Sequence, residues 1–144
     1  MILIYTVLAR NADMMQRQGH EEKTGKAKIT EAFNLPCRYV LHTVGPIVSG
    51  RLTERDCTLL RSCYRSCLAL ADEKQLESIA FCCISTGEFR FPNERAAEIA
   101  IQAVKDYKKE TKSGIKVIFD LWKNEDYEIY NRLLGADTKT ENRT

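Results

Sequence analysis

Ser78-Ile79-Ala80-Phe81-Cys82-Cys83-Ile84, followed at once by Ser85-Thr86-Gly87-Glu88-Phe89-Arg90-Phe91-Pro92, is the stretch on which the fold turns. The first seven residues form a continuous apolar run, the pattern of a strand covered on both faces within a parallel sheet. Pro92 suits the first turn of a helix, where its missing N–H costs nothing. Beyond it Ala96, Ala97, Ala100, Ile101 and Val104 recur at helical spacing to about Lys109. A buried strand leading through a short polar loop into an amphipathic helix is the repeating unit of an α/β fold.

Working outward, the units on either side agree. Upstream, Thr53-Glu54-Arg55-Asp56 resembles a capping box, and Leu60, Cys63, Tyr64, Cys67, Leu68 and Ala71 give the helix behind it one apolar face through about Glu73. Arg38 to Val44 is a β-branched and aromatic run closed by Gly45-Pro46. Lys26 to Thr30 alternates as a short half-buried strand, and Asn34-Leu35-Pro36 is a turn. From Ile4 to Gln18, Ile4, Val7, Leu8, Ala12 and Met15 have helical spacing, with Gly19 placed to end the helix. Downstream, Ile115 to Phe119 reads as another buried strand and Asp126 to Leu134 as a final helix stopping at Gly135. The expectation is an α/β layer sandwich in one domain, residues 1–136, with parallel pairing, right-handed crossovers and a flexible polar tail at 137–144.

A chain of 144 residues, 44% hydrophobic and 29% charged, has the composition of one globular domain with a real core. Lys and Arg number 22 against 20 Asp and Glu, a net charge of +2 that argues against nucleic acid as a partner. Any anion must be met by a local site rather than by a field. No apolar run approaches the roughly 18 residues a bilayer requires, so a membrane role has no support. Met-Ile-Leu-Ile opens the chain without a basic leader, so the expected compartment is the cytoplasm and the six cysteines are expected to be free thiols.

Ligands of open α/β sheets bind beyond the carboxyl ends of the strands, which directs attention to the loops after Val44, Ile84 and Phe119. Ser85 to Pro92 follows a strand and opens a helix, so its N–H groups and the helix dipole favour an anion. Gly87 would let the backbone approach a phosphate, Ser85 and Thr86 could add hydroxyls, and Phe89 or Phe91 could lie over a sugar or base. Loops of this composition also arise for capping alone, and that alternative stands beside the anion reading.

Read together, Thr24-Gly25-Lys26-Ala27-Lys28-Ile29-Thr30, Asn34-Leu35-Pro36, Val40-Leu41-His42-Thr43-Val44-Gly45-Pro46 and Ser78 to Gly87 resemble the macrodomain family from about Ala9 to Leu134. Within it the chain is most similar to the bacterial zinc-dependent protein-ADP-ribose hydrolases, whose Gln-Gly-His stretch is matched here by Gln18-Gly19-His20. The resemblance implies a three-layer α/β/α sandwich on a six-stranded mixed sheet, with ADP-ribose across the strand ends. It also implies that Ser85, Thr86, Gly87, Glu88 and Phe89 wrap the diphosphate and distal ribose, and that Trp122 stacks on adenine; a half-buried core role for Trp122 is the equal alternative. The family's first strands, its Asn-Ala-Ala-Asn segment and the zinc ligands of the bacterial branch have no counterpart in this sequence, so the expectation is a fold lacking its N-terminal strands, with no metal and the catalytic group unknown.

Cys63 and Cys67 share a helix face while Cys82 and Cys83 are neighbours, and no Cys-x-x-Cys pair occurs, so the cysteines read as small buried hydrophobes. His42 reads as a hydrogen-bonded core histidine rather than a base. The partner implied is ADP-ribose or an ADP-ribosylated protein. Three functions stay open at this point: hydrolysis, binding with weakened or absent turnover, and a truncated, oligomeric structural remnant whose copies cover an exposed sheet edge.

Overall fold

A computed structural model describes Ile2–Thr6 and residues 23–141, with side chains over 23–135. Five strands form one sheet: β1 (Ile2–Thr6), β2 (Ala27–Glu31), β3 (Tyr39–Thr43), β4 (Ser78–Phe81) and β5 (Lys116–Phe119). Their order across the sheet is β2-β3-β1-β4-β5. β1 runs parallel to β3 and β4, and β4 parallel to β5, whereas β2 is antiparallel to β3. The sheet is therefore mixed, as the family resemblance implies, with five strands among the described residues rather than six.

The first strand corrects the helix expected from Ile4. Ile2-Leu3-Ile4-Tyr5-Thr6 pairs along its whole length with β3, and Leu3 pairs with Ala80 of β4. Pairing along β3 on one side, with a further pair to β4 on the other, gives its backbone partners, and this tertiary pairing overrides a short run of helical spacing. The rest of the expected helix, with Gln18-Gly19-His20, lies outside the described residues.

Three helices follow: α1 (Glu54–Glu73), α2 (Asn93–Thr111) and α3 (Asn124–Glu141). α1 begins as expected, with the Thr53 hydroxyl accepting from the Asp56 amide at 3.2 Å and the Asp56 carboxylate accepting from the Thr53 amide at 2.9 Å. α2 ends at Lys112 in the left-handed conformation (φ +59), with Lys108 and Lys109 complementing the negative end of the helix. α3 runs past Gly135, the expected stop. A glycine inside a helix costs only about 1 kcal/mol relative to alanine, too little to end one by itself.

The strands' alternation sorts their side chains into two sets. Ala27, Ile29, Tyr39, Leu41, Ile79, Phe81, Val117 and Phe119 share the core with α1, α2 and α3. Tyr64 of α1 meets Phe81 (ring centroids 4.8 Å apart), Phe81 meets Phe119, and Phe119 meets Tyr130 of α3 at 4.9 Å. Lys28, Thr30, Val40, His42 and Ala80 belong to the opposite face. There the Thr30 hydroxyl and His42 Nε2 lie 2.9 Å apart, and burial holds the imidazole below its ordinary value, as a hydrogen-bonded structural histidine requires.

Candidate functional site

Because β3, β4 and β5 point the same way, the three loops that leave them emerge at one end of the sheet. β4 stops at Phe81, three residues before the end of the apolar run, so Cys82, Cys83 and Ile84 belong to the loop and not to the strand. Ile84 is fully buried in the same core as Tyr64 of α1, which anchors the loop at its start. At its far end Phe91 lies in the core, only 1% exposed.

Between these anchors the chain folds back on itself. The Phe91 amide donates to the Ser85 carbonyl at 2.9 Å and the Arg90 amide to the Gly87 carbonyl at 3.0 Å, with Ser85 (φ +66) and Arg90 (φ +60) both left-handed. The Thr86 hydroxyl turns inward to the Cys83 carbonyl at 3.3 Å. Among the described residues, none of the amides of Ser85, Thr86, Gly87, Glu88 and Phe89 donates to a protein acceptor. Gly87 and Glu88 are exposed, and a side chain built at Gly87 would meet open space. A run of successive amides without protein acceptors is a set of donors that an anion can satisfy. Downstream, α2 starts at Pro92 with no side-chain cap, so its dipole and first donors add the same preference.

The loop after β3 braces this turn from the side. Gly45, Pro46 and Val48 are buried, and the Val48 amide donates to the Phe89 carbonyl at 2.9 Å. The loop after β5 closes the other flank: the Asp120 amide bonds the Phe81 carbonyl at 2.8 Å, and Asp126 at the start of α3 is buried and accepts from the Asn93 side chain at 2.7 Å. Burial, followed by the charge of Asp126, pushes the Cys83 thiol up to about 12. Burial likewise raises Cys63 and, much further, Cys67. These thiols stay protonated, the condition of structural rather than reactive cysteines.

The structure sorts the expected site residues. Ser85, Thr86, Gly87, Glu88 and Phe89 do form one turn at the strand ends, where the side chains of Ser85 and Phe89 are buried, the Thr86 hydroxyl turns inward and the Glu88 side chain is exposed. The Ser85 hydroxyl is buried without a partner among the described residues, and the rings of Phe89 and Phe91 point into the protein rather than over a ligand. Trp122 is 88% exposed, which removes the core alternative. Sequence reading missed Gly45, which packs on the turn, and the Asn93 to Asp126 bond that ties the start of α2 to the start of α3 beside it. The Gly45-Pro46 dipeptide closing a buried strand was the one legible signal among them.

Zinc, implied by the resemblance to the bacterial branch, finds no fit among the described residues. No group of three or more His, Cys, Asp or Glu is arranged there to hold a metal, and the Cys63 thiol is spent on the Val44 carbonyl at 3.3 Å. No described helix is long and apolar enough to cross a membrane.

Comparison with known proteins places this geometry in context. The Macro domain family profile matches residues 6–100. A protein-ADP-ribose hydrolase of Treponema medium is 61% identical over 124 residues, which is 86% of this chain and 48% of that protein. The chain spans about half the length of the curated relatives it matches. An Oceanobacillus iheyensis macrodomain solved with ADP superposes with a TM-score of 0.86 at 29% identity, over 96% of this chain and 85% of that one. A Trypanosoma brucei macrodomain in complex with ADP-ribose gives a TM-score of 0.77 at 28% identity, over 92% and 62% of the two chains.

Proposed function

This chain belongs to the macrodomain family, and from that premise we propose that it binds ADP-ribose, free or attached to a protein, with the turn from Ser85 to Phe89 gripping the diphosphate and distal ribose. The observation that carries the reading is the run of five amides without protein acceptors at the carboxyl end of β4. A diphosphate supplies the anionic oxygens such a run lacks, and charge-assisted bonds to backbone N–H are stronger than neutral ones. Gly87 leaves room for a phosphate to approach, and Trp122, exposed beyond β5, offers a flat apolar face to adenine.

The relatives are named for hydrolysis, and the reading for this chain's described residues is binding with turnover weak or absent. Glu88, the acid of the turn, is exposed, His42 is tied to Thr30, and Cys57, Cys63 and Cys67 are packed in the core while burial holds the Cys83 thiol protonated. None is placed as a tuned general acid, base or nucleophile. Calorimetric titration of the full chain with ADP-ribose, paired with a de-ADP-ribosylation assay with and without zinc, tests both halves. Heat without turnover is the expected result; absence of binding removes the proposal, and turnover removes its second half.

β2 and β5 are the edges of the described sheet, and pairing of a second copy along one of them is the oligomer this architecture would form. A monomeric mass in solution excludes it.

A further inference from the structure

We infer that Gly45, in the loop after β3, is a positioning residue for the amide-lined turn after β4, holding it in shape by having no side chain. The inference rests on the function proposed above. Its starting point is a collision: a Cβ built on Gly45 falls 2.0 Å from the Ser85 hydroxyl oxygen, 2.9 Å from Ile84 Cγ2 and 3.3 Å from Ser85 Cβ. The Gly45 backbone lies outside the left-handed region, so any residue could adopt its conformation. Space alone demands glycine there.

What fills that space is the side chain of Ser85, the one residue of the five that combines a left-handed backbone (φ +66) with burial to 4% exposure. A non-glycine residue at positive φ is uncommon and is held by its surroundings. Here the Ser85 carbonyl accepts from the Phe91 amide behind it, and its side chain wedges against Gly45 in front. With its hydroxyl buried and unpartnered among the described residues, Ser85 serves the site through its amide, and the hydroxyl acts as the wedge. A second tie, the Val48 amide to the Phe89 carbonyl, fastens the same two loops four residues further along. The amides from Ser85 to Phe89 thus lie between two fixed points, both set by the loop after β3.

The consequence is a paired dependence. Gly45→Ala must push Ser85 away and turn the amides out of register, whereas Ser85→Gly removes the wedge and relaxes the left-handed backbone. Combining them removes the larger collision and leaves only the Ile84 methyl, at 2.9 Å, to give way, so the pair should restore most of what the first lost. The test is titration of the full chain and three variants, Gly45→Ala, Ser85→Gly and the pair, with ADP-ribose, alongside thermal unfolding. Gly45→Ala should weaken binding at least about tenfold, as expected when charge-assisted bonds are misaligned, and the pair should return to within about threefold of Ser85→Gly. A merely structural role would let any stabilising change restore binding, so a surface stabilising substitution placed on Gly45→Ala is the control and should not rescue it. A parent protein that binds, with Gly45→Ala binding equally well or the pair as weak as Gly45→Ala, overturns the role of Gly45. If Gly45→Ala does not fold, a pair that folds and binds upholds the role, and a pair that also fails to fold overturns it. A parent protein that does not bind overturns the function proposed above, and the role with it.

Discussion

Two helices of this molecule begin in opposite ways. α1 opens on a closed circuit in which Thr53 and Asp56 exchange side-chain and backbone bonds, so the first donors of the helix are used locally. α2 opens on Pro92 with no side-chain cap, behind a turn whose amides find no protein acceptor among the described residues. A satisfied helix start is a structural device, and an unsatisfied one beside a nest of free amides is an invitation to an anion. The same element thus has a structural end at one place and a functional end at another, and the capping residues tell them apart.

That contrast can be broken most forcefully from beneath. Phe91→Ala removes the ring that anchors the turn in the core and should cost about 3–5 kcal/mol of stability, read by denaturant unfolding, with ADP-ribose binding lost as well. At α1, Thr53→Ala should cost about 1 kcal/mol and leave ADP-ribose affinity unchanged in calorimetry; a change in affinity would mean the two helix starts are not independent. Giving α2 an acidic cap, by Pro92→Asp, should weaken ADP-ribose binding by about fivefold, the worth of roughly 1 kcal/mol of helix-terminus electrostatics, while the helix itself is retained in circular dichroism. The smallest effect should come from His42, which lies on the sheet away from both helix starts. Its folded-state value is depressed by burial, so below its unfolded value of 6.5 the unfolded chain takes up the proton more readily. Stability should therefore be full above that pH and decline as the pH falls toward the folded value, a slope that His42→Gln should flatten in melting curves.

Much of this was legible beforehand for particular reasons. The capping box at Thr53 is a local circuit, complete within four residues, and it formed as the spacing said. The apolar face of α1 and the strands at 39–43 and 116–119 follow from periodicities that depend only on backbone geometry. The first strand was misread because a run as short as Ile2 to Thr6 fits either period, and only the gap between β3 and β4 decides for a strand. In the site, the position of Ser85 to Phe89 at the strand end was readable from the strand-loop-helix order. The burial of the Ser85 hydroxyl and of Phe89 was not, since both depend on a loop forty residues away in sequence.

By itself, then, the amino-acid sequence determined the α/β class, the helix starts and the family, because caps, periodicities and ordered motifs are properties of neighbouring residues. Tertiary structure alone decided that β1 sits at the centre of the sheet, that Gly45 must be glycine and that the Ser85 and Phe89 side chains turn inward, leaving the turn's amides without protein acceptors. Each of these is settled by what fills the space beside a residue, and that space is bounded by chain segments far apart in sequence.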